Sequence, residues 1–233
     1  MFLALETSTK NCSVALANDQ GKLLAERREV GEQYIHSEKL HLFIRDVLEE
    51  AQLAVRDLRA VAVGRGPGSY TGLRIGTAAV KGLCWAHQLP LYAVSGLDLL
   101  AIQVRKEQPS WLADPDWLIP MLDARRQEVY RAIYDAQGHQ KAPIAAEVME
   151  ANSLEAYRQS GRKIHLLGDG AAKFRSLFSF PDVQFHPERY PEASTLAIFV
   201  AGNYKRLTVE DTAYYEPFYL KDFIAKKAKN PLF

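Results

Sequence analysis

Three observations in the 233-residue sequence predict an α/β fold in two lobes. The run Ala60 to Ala86 passes from a short apolar strand through a glycine-rich loop into a helix. Buried strands and helices alternate up to about Arg105, which places residues 1–105 in one α/β lobe. The polar, proline-bearing stretch Lys106 to Pro115 then marks a boundary, and residues 106–233 form a smaller second lobe with a last helix and a basic tail.

The elements follow in order. Phe2 to Leu5 reads as a strand, Glu6-Thr7-Ser8-Thr9-Lys10-Asn11 as a polar turn and Ser13 to Ala17 as a second strand. Asn18-Asp19-Gln20-Gly21 is a turn signal, and Lys22 to Val30 completes an antiparallel meander. His36 to Gln52 carries Leu40, Phe43, Ile44, Val47 and Leu48 on one helical face. His36 and His41 lie on that helix about 140° apart, too far round to share one metal ion. After the strand Ala60 to Val63 and a helix from about Thr71, Leu91 to Val94 is another buried strand and Ser95 opens a third helix to about Arg105. Trp117 to Asp123 and Val129 to Tyr134 read as paired strands around the Arg125-Arg126 turn. Ile164 to Leu167 is a strand that ends at Gly168-Asp169-Gly170, with a helix expected over Ala171 to Phe178 and Asp169 as its cap. Ser194 to Arg206, capped by Ser194, is the last helix, and Tyr214 to Leu220 is an extended aromatic tail leading to Lys221, Lys226, Lys227 and Lys229.

The central loop, Gly64-Arg65-Gly66-Pro67-Gly68-Ser69, has the composition of a phosphate cradle at a helix N-terminus. It completes neither known fingerprint. Leu73 and Arg74 follow Gly72 where a P-loop needs Lys and Ser or Thr, and Thr71 stands at the third glycine position of GxGxxG. A structural loop and a phosphate site built from Thr7, Ser8, Gly66, Gly68 and Ser69 therefore both remain open. The net charge of +1 excludes bulk electrostatic attraction to nucleic acid, so any RNA contact is local. Two distant cysteines, a first segment too short in apolar residues for a signal peptide and the lack of a membrane-spanning run predict a reduced, cytoplasmic protein with no membrane contact.

Several of these stretches together resemble the bacterial TsaB family. They are Glu6-Thr7-Ser8, Gly66-Pro67-Gly68-Ser69-Tyr70-Thr71-Gly72-Leu73-Arg74-Ile75-Gly76, Asp123-Ala124-Arg125-Arg126 with Glu128-Val129-Tyr130, Gly168-Asp169-Gly170 and Pro217-Phe218-Tyr219-Leu220-Lys221, the last with Lys where Arg is common in the family. The resemblance implies an actin-like ATPase fold of the sugar-kinase and Hsp70 type, with a shortened second lobe. It also implies a part in making threonylcarbamoyladenosine in tRNA, beside the paralogue TsaD and the ATPase TsaE. TsaD carries an HxxxH pair after the strand matching Leu91 to Val94, where this chain reads Ser95-Gly96-Leu97-Asp98-Leu99-Leu100.

On this comparison the chain reads as a non-catalytic scaffold, with no cofactor of its own, and with ATP and the metal ion belonging to its partners. The expected partners are a TsaD-like paralogue in a heterodimer, a TsaE-like ATPase, and tRNA through the complex, with a homodimer when the chain is alone. The expected partner surface is Leu40, Phe43, Ile44, Val47, Leu73, Gly76, Thr77, Val80 and Lys81, and the expected anion or RNA contacts are Arg125, Arg126 and Lys221. Three other function classes are weighed. One is an ATP-dependent small-molecule kinase or ATPase resting on Glu6 and Asp169, another is a direct tRNA-binding module through Arg125-Arg126 and Lys221 to Lys229, and the third is the glycoprotease activity attached to the superfamily by name, against which stand the lack of HExxH and of a usable histidine pair.

Overall fold

The computed structural model describes residues 1–31, 35–111 and 116–221. Its first sheet has the order β3-β2-β1-β4-β5. The strands are β1 (Phe2–Glu6), β2 (Asn11–Ala17), β3 (Leu23–Val30), β4 (Ala60–Gly64) and β5 (Leu91–Val94). β1, β2 and β3 form an antiparallel meander, while β4 and β5 run parallel to β1. This is the α/β arrangement that the sequence predicts for the first lobe.

Every residue of β1 is buried, because helices cover both faces of the sheet. Leu3 and Leu5, with Val61 and Val63, pack beneath α1 (His36–Glu50) and α2 (Tyr70–His87). Phe2 and Ala4, with Ala60 and Ala62, point to the opposite face and pack with α5 (Ala193–Asn203). Alanines at positions 4, 15, 17, 60 and 62 let that helix lie close on the sheet. The last helix, placed by the sequence with residues 106–233, thus belongs to the core of the first sheet. Its start also differs from expectation, because Glu192 stands at the N-cap and no side chain closes it.

The second sheet has the order β10-β9-β6-β7-β8. Its strands are β6 (Trp117–Asp123), β7 (Glu128–Asp135), β8 (Gln140–Val148), β9 (Ile164–Leu167) and β10 (Val183–His186), with the short helix α4 (Glu155–Arg158) between β8 and β9. β8 and β10 have no counterpart in the sequence reading. β8 is an edge strand with mostly half-buried residues and Pro143 within it, so it lacks an apolar alternation. β10 is four residues long.

One face of this sheet packs on Phe174 and Phe178, and the other on α3 (Gly96–Glu107) through Leu97, Leu100 and Val104. Leu99 of α3 points back into the first lobe's core, so one helix serves both sheets. The helix expected over Ala171 to Phe178 is only a 3-10 turn, Ala171–Phe174. The expected tail from Tyr214 forms a strap without strand pairing, and Lys226, Lys227 and Lys229 lie outside the described residues.

Candidate functional site

The glycine loop between β4 and α2 and the turn after β1 do meet, as the hydroxyl and glycine composition of both suggests. They meet in direct contact. The Ser69 N–H donates to the Ser8 carbonyl oxygen at 2.7 Å, and the Thr7 hydroxyl donates to the Gly72 carbonyl at 2.9 Å. A Cβ on Gly68 would collide with the Ser8 carbonyl oxygen, one on Gly72 with the Thr7 carbonyl oxygen, and one on Gly76 with the Thr7 hydroxyl. The glycines therefore admit the chain's own first turn.

Ser69 caps α2, its hydroxyl oxygen accepting the Gly72 N–H at 3.3 Å. The Gly66–Pro67 peptide is cis, Gly66 has a φ of 94°, and its carbonyl accepts the Gly96 N–H at 3.2 Å. Thr7, Ser8, Gly66, Gly68 and Ser69 are brought together, and Ser8 lies against the Gly68 and Ser69 backbone. Of the two readings open for this loop, the geometry fits the structural one.

Glu6 is fully buried beneath this contact. One carboxylate oxygen accepts the Ser8 N–H at 2.7 Å, the other lies against Gly64, and burial raises the carboxyl's pKa. His36 is buried beside Gly72, with Nε2 2.8 Å from the Thr9 carbonyl oxygen, and burial lowers its pKa. His41 is exposed on the same helix. Asp169, the other acid considered for chemistry, accepts the Asp123 N–H at 3.1 Å and caps no helix.

A strap closes the loop from outside. The Phe218 N–H donates to the Arg65 carbonyl at 2.8 Å, the Glu210 N–H to the Leu91 carbonyl at 2.8 Å, and Lys81 Nζ to the Ala213 and Tyr215 carbonyls at 2.9 and 3.2 Å. Beyond it, Leu220 packs on the second lobe's core and Lys221 forms an ion pair with Glu128. The strap thus runs from the first lobe to the second across the loop.

The nine residues expected at a partner surface are placed differently from expectation. Leu40, Phe43, Ile44, Val47 and Val80 are in the first lobe's core, and Leu73 and Thr77 are buried. Gly76 is buried against Thr7, and Lys81 is half-buried and held by the strap. Helical periodicity identifies an apolar stripe, and the sheet beneath claims it. The outward face lies one or two positions along. Ser37, His41, Ile75, Ala78, Ala79, Gly82 and Leu83 line an open groove of about 520 Å³ between α1 and α2. Trp85 stands 76% exposed at the same end of α2, and a side chain on Gly82 would meet nothing within 4 Å.

The turn after β6 has an unusual backbone. Arg125 and Arg126 have φ of 67° and 54°, a left-handed region that costs a residue with a side chain on the order of 1–3 kcal/mol. The Asp123 carboxylate accepts the Arg125 N–H at 2.6 Å, and Lys173 Nζ donates to the Arg126 and Glu128 carbonyls at 2.9 and 3.2 Å and pairs with Asp123. Lys221 Nζ reaches the Ala124 carbonyl at 3.4 Å. Arg125, Arg126 and Lys221 are therefore neighbours.

A buried polar chain in the second lobe was not signalled by the sequence. His165 Nε2 lies 3.3 Å from an Asp116 carboxylate oxygen, and its Nδ1 lies 3.3 Å from His186 Nε2. The three residues are far apart in sequence and meet only where β9 lies between β6 and β10. Among the described residues, no group of three or more His, Cys, Asp or Glu side chains stands in an arrangement that would hold a metal ion. Nor is any described helix long and apolar enough to cross a membrane.

Comparison with known proteins identifies the family. A family profile described as TsaD, tRNA N6-adenosine threonylcarbamoyltransferase, matches residues 32–229. The tRNA threonylcarbamoyladenosine biosynthesis protein TsaB of Bacillus subtilis is 32% identical over 175 residues, which cover 72% of this chain and 70% of that protein. The protein of the same name from Escherichia coli is 36% identical over 134 residues, 57% of this chain and 54% of the relative, so the match spans only about half of that protein. Among solved structures, YeaZ from Pseudomonas aeruginosa superposes with a TM-score of 0.79 at 31% identity, covering 94% of this chain and 99% of that one. The match extends over both lobes, and the chain belongs to the TsaB family of tRNA threonylcarbamoyladenosine biosynthesis proteins.

Proposed function

We propose that this chain is a non-catalytic scaffold subunit in tRNA threonylcarbamoyladenosine modification. In this reading it binds and activates a TsaD-like catalytic paralogue and helps to recruit a TsaE-like ATPase. The observation that carries the reading is the Ser69 to Ser8 hydrogen bond, with the collisions that a Cβ on Gly68 or Gly72 would make. A loop of this composition acts on a phosphate by presenting free backbone N–H groups. Here the Ser69 N–H is taken by the chain itself, and the strap ties the loop's Arg65 carbonyl to Phe218.

The docking surface in this reading is the groove between α1 and α2. Its floor of Ala78, Ala79 and Gly82 admits a helix closely, and Trp85 beside it supplies a large apolar anchor of the kind that dominates binding energy. A specific interface buries about 1,600 Å² in total, which the two helices and their flanks can furnish.

Sedimentation velocity of the chain mixed with its TsaD-like paralogue tests the reading. A discrete 1:1 species, with threonylcarbamoyl transfer by the paralogue that depends on this chain, is the expected result. Two unmixed boundaries at micromolar concentrations, or ATP hydrolysis by this chain alone, would overturn it.

A further inference from the structure

We infer that the Arg125-Arg126 turn is a contact for the phosphate backbone of the RNA substrate, an assignment that rests on the proposed role in tRNA modification. The turn is built at a cost that a solvated corner does not need. Both residues take left-handed backbone where glycine or asparagine would sit with less strain.

The charges around the turn divide into two sets. Lys173 and Lys221 are spent on the turn itself, bonding the Ala124, Arg126 and Glu128 carbonyls and pairing with Asp123 and Glu128. Asp123 also fixes the backbone through the Arg125 N–H, and Asp169 is turned inward onto the Asp123 N–H. The acids of this corner are thus engaged with the lysines and the main chain. Arg125 and Arg126 are exposed; the Arg125 charge acts on the nearby Tyr130 phenol, and among the described residues neither guanidinium has an ion pair or a side-chain hydrogen bond.

Two adjacent planar guanidinium groups on a rigid base suit bidentate phosphate contacts. With a net charge of +1 the chain has no general attraction for RNA, so a contact of this kind must be local. An acidic protein surface is the competing partner for such a pair, and the family's tRNA chemistry favours the nucleic acid.

The test titrates fluorescein-labelled unmodified tRNA across a salt series with the full chain alone and with its complex with the TsaD-like paralogue. Arg125→Ala with Arg126→Ala is expected to weaken binding several-fold and to flatten the plot of log K against log salt by about 1 per arginine. The paired Lys substitutions keep the slope, since it counts charge. The paired Gly substitutions relieve the backbone and still lose the slope, so charge is read apart from turn geometry even where the Ala variant folds poorly.

Wild-type slope and affinity in the Ala and Gly variants would overturn the inference, as would an absence of salt-dependent binding by either form. Loss of paralogue binding with an unchanged RNA slope would overturn it too, and assign the pair to a protein partner. Failure of the two chains to assemble counts against the scaffold reading, and the titration of the chain alone still decides this one.

Discussion

The Ser69 N–H and the Ser8 carbonyl oxygen lie 2.7 Å apart, which joins the start of α2 to the turn after β1. Gly68 and Gly72 make that approach possible, since each takes a backbone carbonyl of the first turn where a side chain would otherwise stand. Gly68→Ala or Gly72→Ala should therefore destabilise the fold by about 2 kcal/mol or more, as overpacking does when backbone must move. Gly82→Ala, on the open face of the same helix, should instead stabilise by about 0.5–1 kcal/mol. Urea unfolding of the three variants checks the contrast, and equal effects at all three sites would contradict it.

Folding and association should separate on α2. Leu73 is 2% exposed, so Leu73→Asp buries a charge and should unfold the isolated chain. Gly82→Asp places its carboxylate in the open groove, leaving the thermal midpoint within a few degrees of wild type while abolishing assembly with the paralogue. Circular dichroism and sedimentation velocity on the same samples read the two properties.

The pH dependence of stability should carry a signature of Glu6. Because burial raises its pKa, the folded chain holds the proton more tightly than the unfolded chain does. Stability from this group therefore grows as pH falls through the raised value and stops growing below the ordinary value near 4.5. Glu6→Gln is neutral at every pH and lacks this dependence. Its stability relative to wild type should be greatest near pH 8 and decline on acidification. Urea midpoints for both proteins between pH 8 and pH 4 test this, and a constant difference would exclude it.

Cys12 and Cys84 are both buried in the first lobe's core, and burial pushes each thiol up to about 12. At pH 8 neither should react with a thiol reagent in the native protein, and both should react once it is unfolded. Rapid labelling of either in the native state would show that the core opens readily.

Much of the fold was legible because local pattern and burial agree. Leu91–Val94, Trp117–Asp123 and Ile164–Leu167 are apolar runs bounded by turn residues, and each is a strand with those bounds. The strand, loop and helix around Gly64 to His87 were legible for the same reason, and the quoted motifs carried the family. β8 escaped because a half-exposed edge strand needs no apolar alternation. The helix expected from Ala171 is a 3-10 turn followed by hydrogen-bonded turns, although Phe174 and Phe178 both reach the second core as the pattern suggests.

By itself the sequence determined the α/β class, the order of the first lobe's elements and the family, all of which reside in local periodicity and in spaced motifs. Only the tertiary structure decided which side of each helix is free. Leu40, Val47 and Val80 are as apolar as a partner surface requires, and the sheet beneath them takes that stripe. It also decided that α5 returns to the first sheet, that Asp116, His165 and His186 meet, and that the glycine loop is occupied by Ser8. Each of these depends on a contact between residues distant in the chain, and such a contact leaves no periodicity in the sequence.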